Sequence, residues 1–395
     1  MSKRLVYLDN AATTPVRPEV LEAMLPYLGR DAFGNPSSAH RFGRAARAGV
    51  EEAKRSIAEA LGAEPGHVIF TSGGTEADNL AVIGAALAAR DRGGPFRVAV
   101  SAIEHKAVLA AAHAVVHLGG EEIILPVDGA GAVAEEALDE ALGRRGEGGV
   151  AVVCVMWVNN EVGAVQAVAR LAARCREAGV PFHVDAVQAF GKIPVSLRDV
   201  PCTLLTLSGH KIGAPKGIGA LIVRDRHVVE AIIHGGGQQF GIRPGTENVP
   251  GIVALGRAVE LAAREQAEFA VRVAALRDEL ERRLLAIVPD AVINGARGPR
   301  APHVSNVSIP GTDSEALLMH LDLAGIACSS GSACSTGAVE PSHVLTAMGV
   351  PRELGVAALR FSFGKDNTIE DVEAVAAAFP KIVEKVRALS AVLHR

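Results

Sequence analysis

The most constraining feature of the sequence is the alternation of short apolar runs with amphipathic helical runs between residues 17 and 255. The apolar runs are continuous, which is typical of strands buried on both faces of a parallel sheet. The predicted strands are HVIF (67–70), RVAVS (97–101), EIILP (122–126), VAVVCVMW (150–157), PFHVD (181–185), CTLLTLS (202–208) and GALIVR (219–224). Predicted helices between them include residues 43–62, 75–90 and 167–179. The alternation predicts an α/β fold in which helices cover a mostly parallel sheet.

The pattern changes beyond residue 255. A helical run rich in Ala, Leu, Arg and Glu extends over residues 253–288 and ends before Pro289. The strand HVSNVSI, the helix DSEALLMHLDLAG, the strand AALRFSFG and a final helix follow it, as in a small α+β unit. With 395 residues available, we predict a large α/β domain (15–255) and a smaller α+β domain (1–14 and 256–395).

Composition excludes several classes of function. The chain has 40 Lys and Arg against 44 Asp and Glu, so nothing favours nucleic acid as a ligand. No window reaches about 18 consecutive apolar residues, which argues against a membrane span. The N-terminus lacks the pattern of a secretory signal. Five cysteines without disulfide-framework or zinc spacing indicate reduced thiols, a cytoplasmic location and no metal.

The segment FTSGGTEADNLA (70–81) places a Ser-Gly-Gly turn between a strand and a helix that begins near Thr75. Free N–H groups and the helix dipole at such a position favour an anion, above all a phosphate. An ordinary capped helix start is the alternative interpretation. The segment matches neither the nucleotide-binding P-loop nor the dinucleotide motif.

Two later strands end in residues that can react. Asp185 ends the strand in FHVDAVQAFGK and needs a cation or donor, such as a protonated ring nitrogen, unless it only caps a helix. Lys211, in LTLSGHKIGAPKGIGALIV, lies in a Gly-lined turn where burial would lower its pKa for Schiff-base chemistry, although most lysines are solvated. A phosphate site, an acid for a ring nitrogen and an imine-forming lysine are the parts that pyridoxal phosphate requires.

At this point the sequence resembles a known family. It is similar to the cysteine desulfurases of the NifS/IscS-like group, within the class V aminotransferases of the fold type I pyridoxal-phosphate enzymes. The resemblance covers nearly the whole chain. It rests on the motifs YLDNAATTP, GNPSSAHRFGRAAR, TSGGTEADNLA, EHKAVL, NNEVGAVQ, HVDAVQAFGK, SGHKIGAPKGIGAL, GGGQQFGIRPGTENVPG, SSGSACSTG and RFSFG, in that order.

The resemblance implies roles for the matching residues. Lys211 would hold the cofactor covalently, Asp185 would pair with the pyridine nitrogen, and Gln188 would contact the ring hydroxyl. His105 would stack on the ring and transfer protons. The remaining cofactor-binding residues implied are Gly74, Thr75, Ser208, Gly209 and His210, with Thr246 reaching the phosphate of a neighbouring subunit. Asn160 would lie over the cofactor beside the substrate, and Arg360 would bind the substrate carboxylate. Arg suits a carboxylate because its planar fork donates two parallel bonds.

Two cysteines lie in the run AGIACSSGSACSTG (324–337), among small residues typical of a loop. The resemblance makes Cys334 the nucleophile, whose thiolate attacks the sulfur of bound cysteine and becomes a persulfide. An inert loop cysteine is the alternative. Cys328 ends an apolar run and is predicted to be buried packing, while Cys154, Cys175 and Cys202 are predicted to lie in the core.

The predicted activity is therefore a cysteine desulfurase that converts L-cysteine to L-alanine and a persulfide. The implied partners are a second copy of the chain in a homodimer and a protein sulfur acceptor, such as an iron–sulfur scaffold or a sulfur carrier. Three alternatives stay open: a selenocysteine lyase, another class V aminotransferase-type enzyme, and a sulfur-relay protein that holds the cofactor without turnover. A loop thiol favours desulfuration over transamination.

Overall fold

A computed structural model describes residues 4–143, 149–330 and 340–393 of the chain. Its strands, in chain order, are β1 (Val6–Tyr7), β2 (Val68–Thr71), β3 (Arg97–Ser101), β4 (Glu121–Leu125), β5 (Val152–Cys154), β6 (Phe182–Asp185), β7 (Leu204–Ser208), β8 (Gly219–Val223), β9 (Val292–Ile293), β10 (Val304–Ser308), β11 (Ile326–Ala327) and β12 (Ala358–Ser362).

The helices are α1 (Pro18–Leu28), α2 (Arg41–Leu61), α3 (Gly74–Asp91), α4 (Lys106–His117), α5 (Glu135–Gly143), α6 (Val168–Ala178), α7 (Val249–Ile287), α8 (Ser314–Leu323), α9 (His343–Ala347), α10 (Arg352–Gly355) and α11 (Ile369–Leu393). Local chemistry sets several of their ends. His40 Nδ1 accepts the Gly43 N–H at the start of α2, and Gly62 ends this helix in the left-handed region at φ 68°. Within the described ranges, no helix has the length and apolar character needed to cross a membrane.

The main sheet has seven strands in the order β2-β8-β7-β6-β5-β3-β4. Strands β7, β6, β5, β3 and β4 run parallel, whereas β8 is antiparallel to both β2 and β7. All seven predicted strands occur, and the expected α/β class with a mostly parallel sheet is confirmed. The strands β5 to β8 are buried along their whole length, as continuous apolar runs predict.

Two predicted elements differ in length from the structure. The strand predicted over residues 150–157 is assigned only at Val152–Cys154, because pairing with β3 stops at Cys154. The long helix α7 begins at Val249, four residues before the predicted start. Pro250 lies in its first turn, where a missing N–H breaks no helical bond, and the Asn248 side chain caps the helix.

The residues after α7 form the small sheet β12-β10-β9, and their strand β11 pairs with β1 of the N-terminal segment in a second small sheet. Helix α7 contributes to two apolar clusters: Val249–Leu261 packs on the main sheet, and residues from Val273 onward pack with β10, β12 and α11. Val6 and Leu8 of the N-terminal segment join this second cluster. The N-terminal segment therefore crosses from the second cluster toward the edge of the main sheet. There, the Thr14 N–H and hydroxyl donate to the His210 carbonyl, and the hydroxyl oxygen accepts the Gly213 N–H.

Candidate active site

A cavity of about 310 Å³ opens at the carboxyl ends of β6 and β7, beside the first turn of α3. This edge of an α/β sheet is where such folds bind their ligands. The cavity is lined by ten of the residues predicted from the sequence, which are Gly74, Thr75, His105, Asn160, Asp185, Gln188, Ser208, His210, Lys211 and Arg360. Folding thus brings together side chains that lie far apart in the chain. We call this space the front cavity.

Asp185 is the last residue of β6, and only 5% of it is exposed. Its Oδ1 accepts the Val187 N–H at 2.9 Å, so the turn after the strand fixes the carboxyl group. Burial raises the pKa of Asp185, while the Val187 hydrogen bond and the charges of His105 and Lys211 act in the opposite direction. A protonated nitrogen in the front cavity would offset the desolvation of this carboxylate.

Lys211 follows β7 in a short 3-10 turn, Gly209–Lys211. Its Nζ donates to the carbonyl oxygens of Ala11 and Ala12, at 2.7 Å in each case. Burial, with a smaller contribution from the charge of Arg360, lowers the pKa of Lys211 to about 8. The amine is therefore neutral in about a tenth of molecules at pH 7 and about half at pH 8, far more than a solvated lysine would be, which favours its use as a nucleophile.

The first turn of α3 has backbone N–H groups that receive no hydrogen bond from a capping side chain. The capping residue is Gly73, which has no side chain. The Ser208 side chain lies beside it: a Cβ on Gly74 would be 3.5 Å from Ser208 Cβ and 3.9 Å from its Oγ. Free N–H groups, the helix dipole and a hydroxyl together suit a phosphate.

His210 lines the same cavity, and its Nδ1 lies 3.1 Å from Thr13 Oγ1. Burial, followed by the charges of Lys211 and Lys216, lowers the pKa of His210 to about 4. The ring is therefore neutral at physiological pH and can contact a phosphate only as a hydrogen-bonding group.

His105 is the capping residue of α4, and its Nδ1 accepts the Ala107 N–H at 3.1 Å. This hydrogen bond requires a lone pair on Nδ1, so a neutral ring carries its proton on Nε2. Burial lowers the pKa of His105, and the charge of Asp185 opposes this shift. The neutral ring therefore offers an N–H at Nε2, and it can take up a second proton only at Nδ1, on loss of the Ala107 hydrogen bond.

Gln188 is held at both ends of its amide. Nε2 donates to Ala11 O at 2.8 Å, and Oε1 lies 3.1 Å from Nε2 of His303. Burial moves the pKa of His303 well below its usual value, so this ring is neutral and donates from Nε2. The buried histidine thereby fixes the amide of a residue that lines the front cavity.

Arg360 of β12 connects the small sheet to the front cavity. Nη1 donates to Asn160 O at 3.0 Å, and Nη2 forms an ion pair with Asp9 Oδ1 at 2.8 Å. Its buried Nε has no hydrogen-bond partner among the described residues. The guanidinium is thus fixed in position and retains a donor for a further acceptor such as a carboxylate.

Two predicted residues in the described part of the chain do not line the front cavity. Gly209 lies beneath it, where a Cβ would approach Ile218 Cγ2 to 2.9 Å, so only glycine fits without a shift. Thr246 lies in a separate cavity of about 230 Å³, together with Ser72 and Arg243. Arg243 pairs within the chain with Glu76 of α3 at 2.7 Å. Cys334 lies outside the described residues.

The front cavity also contains an acid whose role the sequence did not indicate. Asp78 is 2% exposed, lines the cavity and has an Oδ1 without a hydrogen-bond partner among the described residues. Burial, and next the charge of Asp185, raise the pKa of Asp78 well above its usual range. In the sequence, only its position on the helix turn after Thr75 could have indicated this location.

The described cysteines are packing residues. Cys154, Cys175 and Cys202 are buried in the core as predicted, and burial raises the pKa of each thiol. Cys328 is half-buried against the second apolar cluster, and burial raises its pKa as well. A thiol of raised pKa is a poor nucleophile at neutral pH. No cluster of potential metal ligands occurs in the part of the chain that the structure describes.

Comparison with known proteins identifies relatives of this chain. The family model "Aminotransferase class-V" matches residues 6–375. "Cysteine desulfurase IscS" of Dictyoglomus turgidum is 43% identical over 388 residues, which are 98% of this chain and 97% of that protein. A "Cysteine desulfurase" of Cereibacter sphaeroides is 46% identical over 390 residues, which are 98% of this chain and 97% of that protein.

Solved structures agree with the sequence comparison. A structure described as "NifS-like protein" superposes with a TM-score of 0.86 at 35% identity, covering 98% of this chain and 99% of that one. The likeness thus extends over nearly the whole of both chains.

Proposed function

We propose residue roles for this chain from the premise that it belongs to the class-V aminotransferase family and is a cysteine desulfurase. Membership brings with it the fold type I architecture and the cofactor pyridoxal phosphate, both of which the sequence predicted. The reaction breaks the C–S bond of L-cysteine, transfers the sulfur to a thiolate and leaves L-alanine. Separate groups of this chain would bind the cofactor, move the protons and accept the sulfur.

The described residues fit the cofactor. The front cavity, at about 310 Å³, combines an uncapped helix start, a buried carboxyl group that needs a cation, and a lysine of lowered pKa. We assign the phosphate to the first turn of α3 with Ser208 and His210, and the ring nitrogen to Asp185. Gln188, held by His303, would meet the ring hydroxyl. Lys211 would form the covalent attachment.

When bound, pyridoxal phosphate supplies an imine-forming aldehyde and a ring that accepts the electron pair released as Cα loses its proton. Lys211 would take up that proton at Nζ, because a pKa lowered to about 8 makes the free amine available as a base near neutral pH. Asp185 would hold the ring nitrogen and, when ionised, would keep that nitrogen protonated.

His105 and Arg360 act on the substrate. We assign His105 to proton transfer beside the ring: its Nε2–H would donate a hydrogen bond, and Nδ1 would take up a proton when it releases the Ala107 N–H. Arg360 binds the substrate carboxylate through its remaining donor, while Asp9 and the Asn160 carbonyl hold the guanidinium in place. The side of the cavity formed by Asn160 thus becomes the amino-acid side.

Sulfur transfer requires a thiolate, and we assign it to Cys334. Its thiolate attacks the substrate sulfur, an S–S bond forms, and the C–S bond breaks with its electron pair going to the substrate carbon, which is then protonated to give alanine. Cys328 is unsuited to this role because burial raises its pKa. The persulfide would then pass to an acceptor protein, such as an iron–sulfur scaffold or a sulfur carrier.

We further propose that the chain works as a homodimer in the cytoplasm. Thr246 lies in a separate cavity from Lys211, so a contact with cofactor phosphate would be made in a neighbouring subunit. Symmetric dimers are the commonest assembly of soluble chains. Light scattering at the concentration used for activity tests this: a fully active monomer would contradict it.

The observation that carries these assignments is the convergence of ten predicted residues on one cavity around Lys211. The test compares Cys334→Ser with Cys328→Ser, measuring alanine release and bound persulfide in a single turnover. Cys334→Ser should bind cysteine, shown by a change in cofactor absorption, yet release almost no alanine, because a serine hydroxyl is a far poorer nucleophile. Cys328→Ser should retain most activity. The reverse result would exchange the two assignments.

A further inference from the structure

A second cavity, of about 350 Å³, lies on the other side of Lys211. Its walls come from residues 14–18, from the turn at Gly191 and Lys192, from α7 and from residues 363–366. Pro15, Val16, Ile212, Phe269 and Phe363 make these walls largely apolar. We call it the Lys192 cleft. None of the roles assigned to the front cavity uses it.

Lys192 is the unusual group in this cleft, because it is a cation that is only 7% exposed. Its Nζ donates to the Lys211 carbonyl at 3.1 Å and lies 5.1 Å from the centre of the Phe269 ring. No described carboxylate lies within ion-pairing distance of it. An ammonium group has three donors, so this contact leaves two for another acceptor.

The carboxylates that line the cleft either pair with another residue or lie at its rim. Glu265 accepts hydrogen bonds from both terminal nitrogens of Arg17, at 2.7 and 2.8 Å. The Arg17 stem lies against Gly213, where a Cβ would approach Arg17 Cγ to 2.5 Å. This ion pair is therefore fixed in position, and the positive charge of Lys192 is left without an acidic partner. The charged or titratable groups around Lys192 are Lys211, His303, Arg17, Glu265, Lys365 and Asp366.

We propose that the Lys192 cleft is a second binding site, for a small monocarboxylate with an apolar or aromatic body. The carboxylate would pair with the Lys192 ammonium, and the body would pack on Phe269, Phe363 and Ile212. A buried cation without an acid costs free energy, which an anionic ligand offsets. Because Lys192 also binds the Lys211 carbonyl, an occupant would contact the backbone that carries Lys211. The site lies beyond the desulfurase function and does not depend on it.

Calorimetric titration of benzoate into the holoenzyme tests the proposal without using turnover. Benzoate should bind with a Kd of about 1 mM. Lys192→Met, which keeps the length and removes the charge, should weaken binding at least about tenfold. Lys365→Met, an exposed lysine at the rim, should stay within about twofold. Absence of binding to the wild type at about 20 mM benzoate would overturn the proposal. So would unchanged binding by Lys192→Met, which would locate benzoate at Arg360 instead.

Two further measurements guard against a variant that misfolds. Burial lowers the pKa of Lys192 to about 8, so at pH 8.5 benzoate binding should take up about three quarters of a proton, and at pH 7 about a tenth. Titrations in buffers of different ionisation enthalpy measure this on the wild type. Anomalous diffraction from 4-bromobenzoate should show bromine between Phe269 and Phe363. No proton uptake, or bromine only in the front cavity, would overturn the proposal.

Discussion

Lys211 and Lys192 lie in two neighbouring cavities, and burial lowers the pKa of both to about 8. In the front cavity, Lys211 has Asp185 and Arg360 around it, beside an uncapped helix start. In the Lys192 cleft, the carboxylate of Glu265 is paired with Arg17. A lowered lysine pKa therefore marks burial alone, and the surrounding groups decide whether the site suits a cofactor or an anion.

The largest difference between the two lysines should appear in alanine formation when each side-chain amine is removed by substitution. Lys211→Ala should lower alanine formation by at least about 1000-fold, because the amine to which we assign cofactor attachment and Cα proton transfer is lost. Lys192→Met should stay within about tenfold, since the one hydrogen bond its Nζ makes among the described residues is to the Lys211 carbonyl. Single-turnover alanine measurement compares them. Equal losses would remove the distinction between the cavities.

The two acids of the front cavity should differ by a smaller factor. Asp185→Asn should reduce kcat/KM by about 100-fold or more, because the ring nitrogen loses its anionic partner. Asp78→Asn should stay within about fivefold, since burial raises the pKa of Asp78 and so favours the neutral acid, which an amide resembles. Steady-state kinetics on both variants, with cofactor content determined by absorption, provides the comparison. A larger loss in Asp78→Asn would reverse the assignment of the charged acid.

Cofactor capture by the apoprotein should follow the neutral fraction of Lys211. The rate should rise about fivefold between pH 7 and pH 8 and level off above, because the pKa of Lys211 is lowered to about 8. Lys192→Met should show the same rise. Stopped-flow absorption across this range measures it. A rate that climbs tenfold per pH unit up to pH 10 would mean that Lys211 has the pKa of a solvated lysine.

The smallest expected effect is on stability. Lys192→Met should raise the free energy of unfolding by about 1–2 kcal/mol at pH 7, because a charged buried amine costs about 3 kcal/mol and its hydrogen bond to Lys211 returns about 1. The folded-state pKa is about 8 against 10.5 unfolded, so this gain should be full below pH 8 and turn into a loss of about 1 kcal/mol by pH 10.5, where only the lost hydrogen bond counts. Urea denaturation at the two pH values tests the sign. A gain independent of pH would indicate better packing instead.

Much of the front cavity could be predicted from the sequence, because Asp185 and Lys211 follow buried strands at the same edge of a parallel sheet. The contacts that hold Gln188 and Arg360 in place could not be predicted in this way. His303 reaches Gln188 across 115 residues, and Asp9 reaches Arg360 across 351. Such contacts depend on how the N-terminal segment and β10 pack onto the main sheet, which local periodicity does not encode.

The Lys192 cleft could not be predicted from the sequence for a related reason. In the sequence, Lys192 is a lysine just after a turn, where most lysines are solvated. Its burial arises from Phe269 of α7 and from the N-terminal segment around Arg17, which lie far from it in the chain. Only the assembled structure shows a cation without an acid at that place.

The most direct test of the central claim is to find which lysine carries the cofactor. The holoenzyme is reduced with borohydride, digested and mapped by mass spectrometry. The pyridoxyl group should be found on the peptide containing Lys211, with Lys192 unmodified, because only Lys211 lines the front cavity with Asp185 and the start of α3. A pyridoxyl group on Lys192, or on any lysine other than Lys211, would contradict this assignment.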